Sequence, residues 1–286
     1  MQYRLIGIDL DGTLLNREGR VSERNRAALI AARDAGVRVV PCTGRSWAES
    51  RKVIEQLHDI PHGVFVGGAA VSELTTGRSL DIAVIEPHLI LELVQHMYDL
   101  PEAVLVFRDA NLCGHDYLVT GRGSLSANTV WWFEFTQARL EFKRQITLED
   151  AHHAMRVGIV ATVKRMREVT ASVMRTFGDR VRVLSFEAVQ MPDPAESVHV
   201  LEIFAAGVDK WRGLQWMADQ HGLTAENIAV IGDEINDVAM LQPAGCGIAM
   251  GNAIDALKAV AKYHTLDNEN DGVAHAIEQL ISGRWT

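Results

Sequence analysis

Leu5-Ile6-Gly7-Ile8-Asp9-Leu10-Asp11-Gly12-Thr13 decides the fold: a short apolar run breaks off into two aspartates separated by one residue, then glycine and threonine. Such a run, Leu5 to Ile8, reads as a strand buried on both faces, the kind that builds parallel sheets. Open α/β sheets gather ligands outside the carboxyl ends of their strands, so Asp9 and Asp11 leave the strand where a site is expected. If the strand continued, both would project to the same side. Two carboxylates about 4 Å apart repel by roughly 4 kcal/mol at an effective dielectric near 20, so the pair calls for a cation or a shared proton. The plainer reading is a turn with helix-capping aspartates, because Asp-Gly favours loops.

The surrounding pattern is that of a parallel α/β sheet. Ser22 reads as the N-cap of an Ala-rich helix that ends near Ala35, with Gly36 just beyond it and a strand at Val37 to Val40. Ser46 and Glu49 form a capping box that opens another helix, and Val64 to Val66 supplies a third strand. The same alternation returns late in the chain, with strands at Val200 to Phe204, Ile228 to Ile231 and Cys246 to Ala249, and helices from about Lys210, Asn236, Ala253 and Gly272.

Between Ile82 and His199 the grammar changes to strands at Val104–Phe107, Tyr117–Thr120, Arg156–Val163 and Val181–Phe186. Helical patterns at His88–Tyr98 and Lys164–Phe177 are interleaved with them. The expected architecture is therefore a doubly wound, Rossmann-like parallel-sheet core, residues 1–81 and 200–286, with an inserted α+β domain at 82–199. Glu86-Pro87 and Met191 to Pro194 are the expected junctions, since proline restricts the residue before it.

With 28 Lys+Arg against 37 Asp+Glu, the net charge of −9 has the wrong sign for a chain that lives on a nucleic-acid backbone. No run approaches the roughly 18 apolar residues of a membrane span, and the short, acidic N-terminus does not resemble a signal peptide. Cys42, Cys113 and Cys246 are scattered, with neither a CxxC pair nor zinc-type spacing, so a reducing compartment, the cytoplasm, is expected.

A second acidic cluster, Gly232-Asp233-Glu234-Ile235-Asn236-Asp237, also follows an apolar strand directly. Carboxylates from two strand ends suit Mg2+, which takes hard oxygen ligands and a substrate phosphate, rather than zinc. Asn236 and Asp237 also suit plain helix capping. Thr43-Gly44-Arg45 sits between a strand and the capping-box helix, where a hydroxyl and backbone N–H groups form an anion site. Lys210 opens a helix, from which its ammonium reaches a bound phosphoryl group. His58 and His62, along with His115, His152, His153 and the Trp131-Trp132 pair of the insert, read as structural. Gly121-Arg122-Gly123 is a glycine-rich turn without further support.

Taken together, Asp9 to Leu15 (DLDGTLL), Thr43 to Arg45 (TGR), Lys210 and Gly232 to Asp237 (GDEIND) resemble the four motifs of the haloacid dehalogenase superfamily. Ala249 to Ala253 and Asn268 to Ala274 are similar to its Cof-like, sugar-phosphatase branch, and the size of the insert resembles the large α/β cap of that branch. One position departs from the pattern: Gly67-Gly68-Ala69 stands where many members carry Asn-Gly-Ala, so no side-chain contact carries over to Gly67.

The resemblance implies a Mg2+-dependent phosphatase of small phosphorylated metabolites, sugar phosphates or a phosphorylated cofactor. In that reading Asp9 is the nucleophile that becomes an aspartyl-phosphate, and Asp11 is the general acid and then base. Asp9, Asp233 and the Asp11 carbonyl hold the metal. Thr43, Gly44, Arg45, Lys210 and Asn236 bind the phosphate, and Asp237 orients Lys210 or a metal-bound water. The cap closes over the core and supplies substrate contacts. Two alternatives stand beside it: a phosphotransferase or mutase on the same scaffold, and a phosphate-binding module without catalysis.

Overall fold

A computed structural model describes residues 2–189 and 197–286; the expected junction at Met191 to Pro194 lies outside them. Among the described residues the first strands are β1 (Leu5–Asp9), β2 (Arg38–Cys42), β3 (His62–Phe65), β4 (Ala70–Glu73) and β5 (Ser79–Ile82). Then come β6 (Val104–Arg108), β7 (Tyr117–Thr120), β8 (Leu140–Phe142), β9 (Ala154–Thr162), β10 (Val181–Val189) and β11 (Val198–Ala205). The last are β12 (Ile228–Gly232), β13 (Cys246–Ala249) and β14 (Tyr263–His264). They form two sheets, ordered β14-β13-β12-β1-β2-β3-β4-β5 and β10-β11-β9-β6-β7-β8.

The chain divides accordingly into one compact unit of Met1–Asp81 with Asp209–Thr286 and another of Ile82–Val208. In the first, β14 through β3 run parallel, and β4 turns back antiparallel on β3. Progress outward from β1 goes one way through β2 and β3 and the other way through β12 and β13. The carboxyl ends of β1 and β12 therefore flank the point where strand order reverses, the crevice that open α/β sheets offer to ligands.

Local signals explain the elements. Ser22 accepts a hydrogen bond from the Asn25 N–H at 3.0 Å and starts Glu23–Asp34, and Gly36 follows its end at φ +79°. That helix packs on Gly272–Ile281, while Lys210–Asp219 packs on β3 and on Val238–Leu241. Lys210–Asp219 lies unusually close to the sheet because glycines meet it there. A Cβ on Gly213 would fall 2.5 Å from Val64 Cγ1, and one on Gly7 would fall 2.6 Å from Leu214 Cδ1.

The second unit has its own core. Val104, Val106, Val157, Ile159, Leu201 and Ile203 share a buried cluster with residues of Pro87–Met97 and Val163–Phe177. Met166, Val169, Val173 and Phe177 recur at helical spacing on the latter, and each fully buried aliphatic contributes about 1.5–3 kcal/mol. Trp131 and Trp132 lie on Ala127–Thr136, a helix the sequence reading did not identify.

Two expectations require correction. Val200–Phe204, read as a strand of the core, lies inside β11 and pairs antiparallel with β9 and β10 of the second sheet, so the return to the first unit comes at Asp209 rather than residue 200. An apolar strand of this length looks the same in either sheet, because periodicity alone does not reveal its partners. The Ser46/Glu49 capping box forms, with Ser46 N–H donating to Glu49 Oε2 at 2.7 Å and Glu49 N–H donating to Ser46 Oγ at 3.2 Å. It opens only a 3-10 turn, Ala48–Ser50, and the four-residue helix Arg51–Ile54.

The close helix–sheet approach predicts that Gly213→Ala will destabilise the protein by about 1–3 kcal/mol through overpacking, although alanine is the better helix former by roughly 1 kcal/mol. In denaturant unfolding, Gly213→Ala combined with Val64→Ala should be more stable than the sum of the two single changes. Strict additivity would show that Val64 does not set the spacing.

Candidate active site

Lys210 sits at the first turn of Lys210–Asp219 with only 1% of its side chain exposed. Its Nζ donates to Asp9 Oδ1 at 2.6 Å and to Asp237 Oδ1 at 2.5 Å, so one ammonium bridges the end of β1 and the turn after β12. Asp237 is fully buried, and its Oδ2 accepts the backbone N–H groups of Asp233 and Glu234 at 3.0 and 3.1 Å. Asp237 thus fixes both the ammonium and the loop that carries Asp233.

Asp233 is held from the β1 side. Thr13 Oγ1 donates to its Oδ1 at 2.8 Å, and Asn252 Nδ2 donates to the Gly12 carbonyl at 2.8 Å and reaches Asp233 Oδ2 at 3.4 Å. Gly12 has φ +76°, and a Cβ there would lie 2.2 Å from Asp233 Oδ2. The glycine of the Asp-Leu-Asp-Gly-Thr run is therefore required both for its left-handed turn and for the approach of the second carboxylate. Thr13 and Asn252 had no assigned role in the sequence reading. Asn252 follows β13, so its position beyond a further strand end was the available signal.

Asp9, Asp233 and Asp237 each bring a carboxylate oxygen to within 4.8 Å of the others. These are hard donors without a nitrogen or sulfur among them, which fits Mg2+ by chemistry. Nearby Asn236 Oδ1 is buried without a hydrogen-bond partner, a polar atom unsatisfied by the protein. Asp237, expected to support the lysine, thus also stands within reach of a cation.

The electrostatics follow from burial. Loss of water pushes the Asp9 carboxyl well up; Lys210 pulls it down, and Asp237, Asp233 and Asp11 push it further up. Burial works against the Lys210 ammonium too, but Asp237 and Asp9 outweigh it and hold its pKa above the usual lysine range. Burial likewise raises Asp233 to about 7; the Thr13 hydrogen bond opposes this and Asp237 adds to it.

Asp11 does not sit beside Asp9 as extension of the strand would have it. β1 ends at Asp9, the chain turns at Leu10, and the Asp11 side chain is 53% exposed. There it pairs with Arg45, whose Nε donates to Oδ2 at 2.8 Å and whose second nitrogen contacts Oδ1. The like charges are kept apart by the turn, and Arg45, expected on a phosphate, is engaged with Asp11.

Thr43 is buried at the end of β2, and its Oγ1 accepts the Arg45 N–H at 3.1 Å. A Cβ at Gly44 would meet nothing within 4 Å, so open space borders the loop. Thr43 to Arg45 is stitched to the turn after β3: Val66 N–H donates to the Arg45 carbonyl at 2.9 Å, and Gly67 N–H to the Thr43 carbonyl at 3.0 Å. Val66 adopts φ +52°, a costly conformation for a β-branched residue, which ends β3 one residue before the expected Val66. Gly67 follows at φ +61°, a left-handed geometry that asparagine also tolerates, so the substitution noted at this position leaves the backbone path intact. In the second unit His115 is packed against Arg108 and Glu141.

The haloacid dehalogenase-like hydrolase profile matches residues 6–277. A 5-amino-6-(5-phospho-D-ribitylamino)uracil phosphatase of Bacillus subtilis is 30% identical over 295 residues, covering 99% of both chains. A second B. subtilis phosphatase of the same name is 30% identical over 282 residues, covering 98% of this chain and 97% of its own. A haloacid dehalogenase-like hydrolase from Bacteroides thetaiotaomicron has a crystal structure that superposes with a TM-score of 0.74 at 25% identity, covering 98% of this chain and 100% of its own. The acidic strand ends, the buried lysine and these likenesses converge: the chain belongs to the haloacid dehalogenase-like hydrolase family and is a hydrolase of the phosphatase type.

Proposed function

We propose that the protein is a Mg2+-dependent phosphatase of small phosphorylated metabolites that works through an aspartyl-phosphate on Asp9. The observation that carries this reading is the buried ammonium of Lys210 between Asp9 and Asp237, with Asp233 completing a cluster of oxygen donors at the strand-order reversal.

Asp9, Asp233 and the Asp11 backbone carbonyl would hold the metal, with Asp237 alongside; when bound, it supplies positive charge that offsets the repulsion between carboxylate and phosphate. Lys210 occupies Asp9 Oδ1, which orients the carboxylate and leaves Oδ2 to attack phosphorus in line. The phosphorus–oxygen bond to the leaving alcohol breaks as the bond to Asp9 forms. Asp11, exposed at the rim and released from Arg45, gives its proton to the departing alkoxide. In the second step Asp11 takes a proton from water as the water oxygen attacks phosphorus, and the Asp9–phosphorus bond breaks. Lys210 has a third N–H and Thr43 a hydroxyl proton to donate to phosphoryl oxygens, and the amide of Asn236, next to Asp237 in the chain, would join them. Such positioning by fixed donors is the main source of rate in phosphoryl transfer.

The phosphorylated ribitylaminouracil for which two relatives are named supports the 5-phosphate of a ribityl chain as a first candidate substrate beside sugar phosphates and phosphorylated cofactors. A screen of these esters compared by kcat/KM tests it, and the proposal narrows to sugar phosphates if the ribityl ester turns over no faster than the rest. Transfer to a second sugar hydroxyl is the competing chemistry; release of inorganic phosphate in step with substrate loss separates the two.

Phosphate release from an aryl phosphate should require Mg2+ and stop with a chelator, and Asp9→Asn should lower kcat at least about 10³-fold with the fold retained. Full activity in metal-free buffer would overturn the mechanism. Asp11→Asn should cost more with an alkyl phosphate than with an aryl phosphate, whose good leaving group needs no proton; equal losses would remove Asp11 from the role of acid.

The raised Asp233 carboxyl gives a pH signature. Its native value of about 7 lies above the ordinary 3.8, so the metal-free native state holds a proton that the unfolded chain has released, and stability falls as pH rises from about 4 to 7. Binding a cation requires that proton to leave, so the Mg2+-induced rise in Tm should grow as pH increases through about 7. A shift of the same size at about pH 6 and pH 8 would contradict this coupling.

A further inference from the structure

β2 pairs with β1 along its whole length, from Leu5/Arg38 to Asp9/Cys42, but its pairing with β3 is the single rung Cys42/Val64. The cause is in the sequence. Thr43 N–H donates to the Val64 carbonyl at 2.9 Å, and strand alternation turns residue 41 to the same side. That residue is Pro41, which has no N–H to give to the next rung, so the ladder stops and the strands part toward their amino ends.

The gap opens into a solvent-accessible pocket of about 440 Å³, a volume suited to a small metabolite. Its walls are apolar and buried: Leu29, Val37, Val39, Leu57 and Met217. Its polar lining is basic, with Arg26, Arg38, His62 and His221 at hand. Arg33, also at the cavity, is tied to both Asp34 and Asp59, so it is fully engaged and that group carries one negative charge in excess. Arg26 Nε is buried without a hydrogen-bond partner, and neither Arg26 nor Arg38 forms an ion pair among the described residues. Burial, and after it the charges of Arg38 and His62, hold His221 below the ordinary histidine range.

An unpartnered buried guanidinium nitrogen is costly and calls for an acceptor. Lining residues Arg38 to Val40 belong to the amino half of β2, whereas the site described above lies beyond its carboxyl end. We propose that this cavity is a second, non-catalytic binding site for a small organic anion, a carboxylate or similar group on an apolar body, with Arg26 and Arg38 taking the charge and the aliphatic walls taking the body. This inference does not depend on the phosphatase reading.

The probe is 2-naphthoate, which carries no phosphoryl group to be hydrolysed, titrated into the full chain by calorimetry, with 2-naphthamide as the neutral isostere. One site is expected. Arg26→Gln and Arg38→Gln should each weaken binding about tenfold, the scale of one charge-assisted hydrogen bond, with Tm confirming that both variants fold. Naphthamide should bind at least about tenfold more weakly than naphthoate, while Asp233→Asn and Thr43→Val should bind naphthoate as the unaltered chain does. The proposal is overturned by no binding at millimolar probe, by equal affinity of acid and amide, by unchanged affinity in both arginine variants, or by loss of binding in Asp233→Asn.

Discussion

The buried ammonium of Lys210 is the constraint on which the site depends. Asp9 and Asp237 are both withdrawn from water, and neither is tolerable there as an unpaired anion; between them the lysine satisfies both at 2.6 and 2.5 Å. Removing one member of a buried charge network of this kind costs about 3–5 kcal/mol, because the remaining charge is left without a partner. The close packing of Gly213 on Val64 is what lets the helix deliver the ammonium to that depth. Packing and electrostatics are here one requirement: the helix approaches because glycine allows it, and the carboxylates remain buried because the helix arrives.

From this constraint follows the contrast between the two aspartates of the first motif, on which their proposed division of labour rests. Asp9, at the last position of β1, is buried and oriented; Asp11, two residues later and past a turn, is exposed and paired with Arg45. A nucleophile benefits from fixed geometry and desolvation, whereas a proton carrier must meet both leaving group and water. The turn at Leu10 separates the two environments, and Gly12 just beyond it admits Asp233 against that turn. The acidic balance of the chain, unfavourable for a nucleic-acid backbone, is in part the carboxylates gathered here.

Much of the core was legible because strand ends and chemistry coincide in sequence: Asp9, Thr43 and Asp233 each stand immediately after, or at the end of, an apolar run. Ser22 and Gly36 marked one helix at both ends through capping chemistry, and Tyr117–Thr120 was placed residue for residue. What escaped depends on partners distant in sequence. β11 reads like any buried strand, and its membership in the second sheet is set by β9 and β10. Ala127–Thr136 was missed because apolar residues crowd most of its circumference, leaving little amphipathic period to detect. The pairing of Arg45 with Asp11 arises from two loops 34 residues apart, and no local pattern encodes it.

The insertion of the second unit between Asp81 and Asp209 also governs the order in which the chain can be built. β1 has β12 as its neighbour, with Leu5 opposite Ile228, so half of its hydrogen-bonding potential waits until more than two hundred further residues have been made. β6 to β11, by contrast, lie within one continuous stretch and find all their partners there. During synthesis the inserted unit is complete first, while β1, β2 and β3 remain an unfinished parallel sheet with an open edge. The carboxylate that ends β1, Asp9, has no Lys210 to pair with through that interval, since its partner lies some two hundred residues further along the chain.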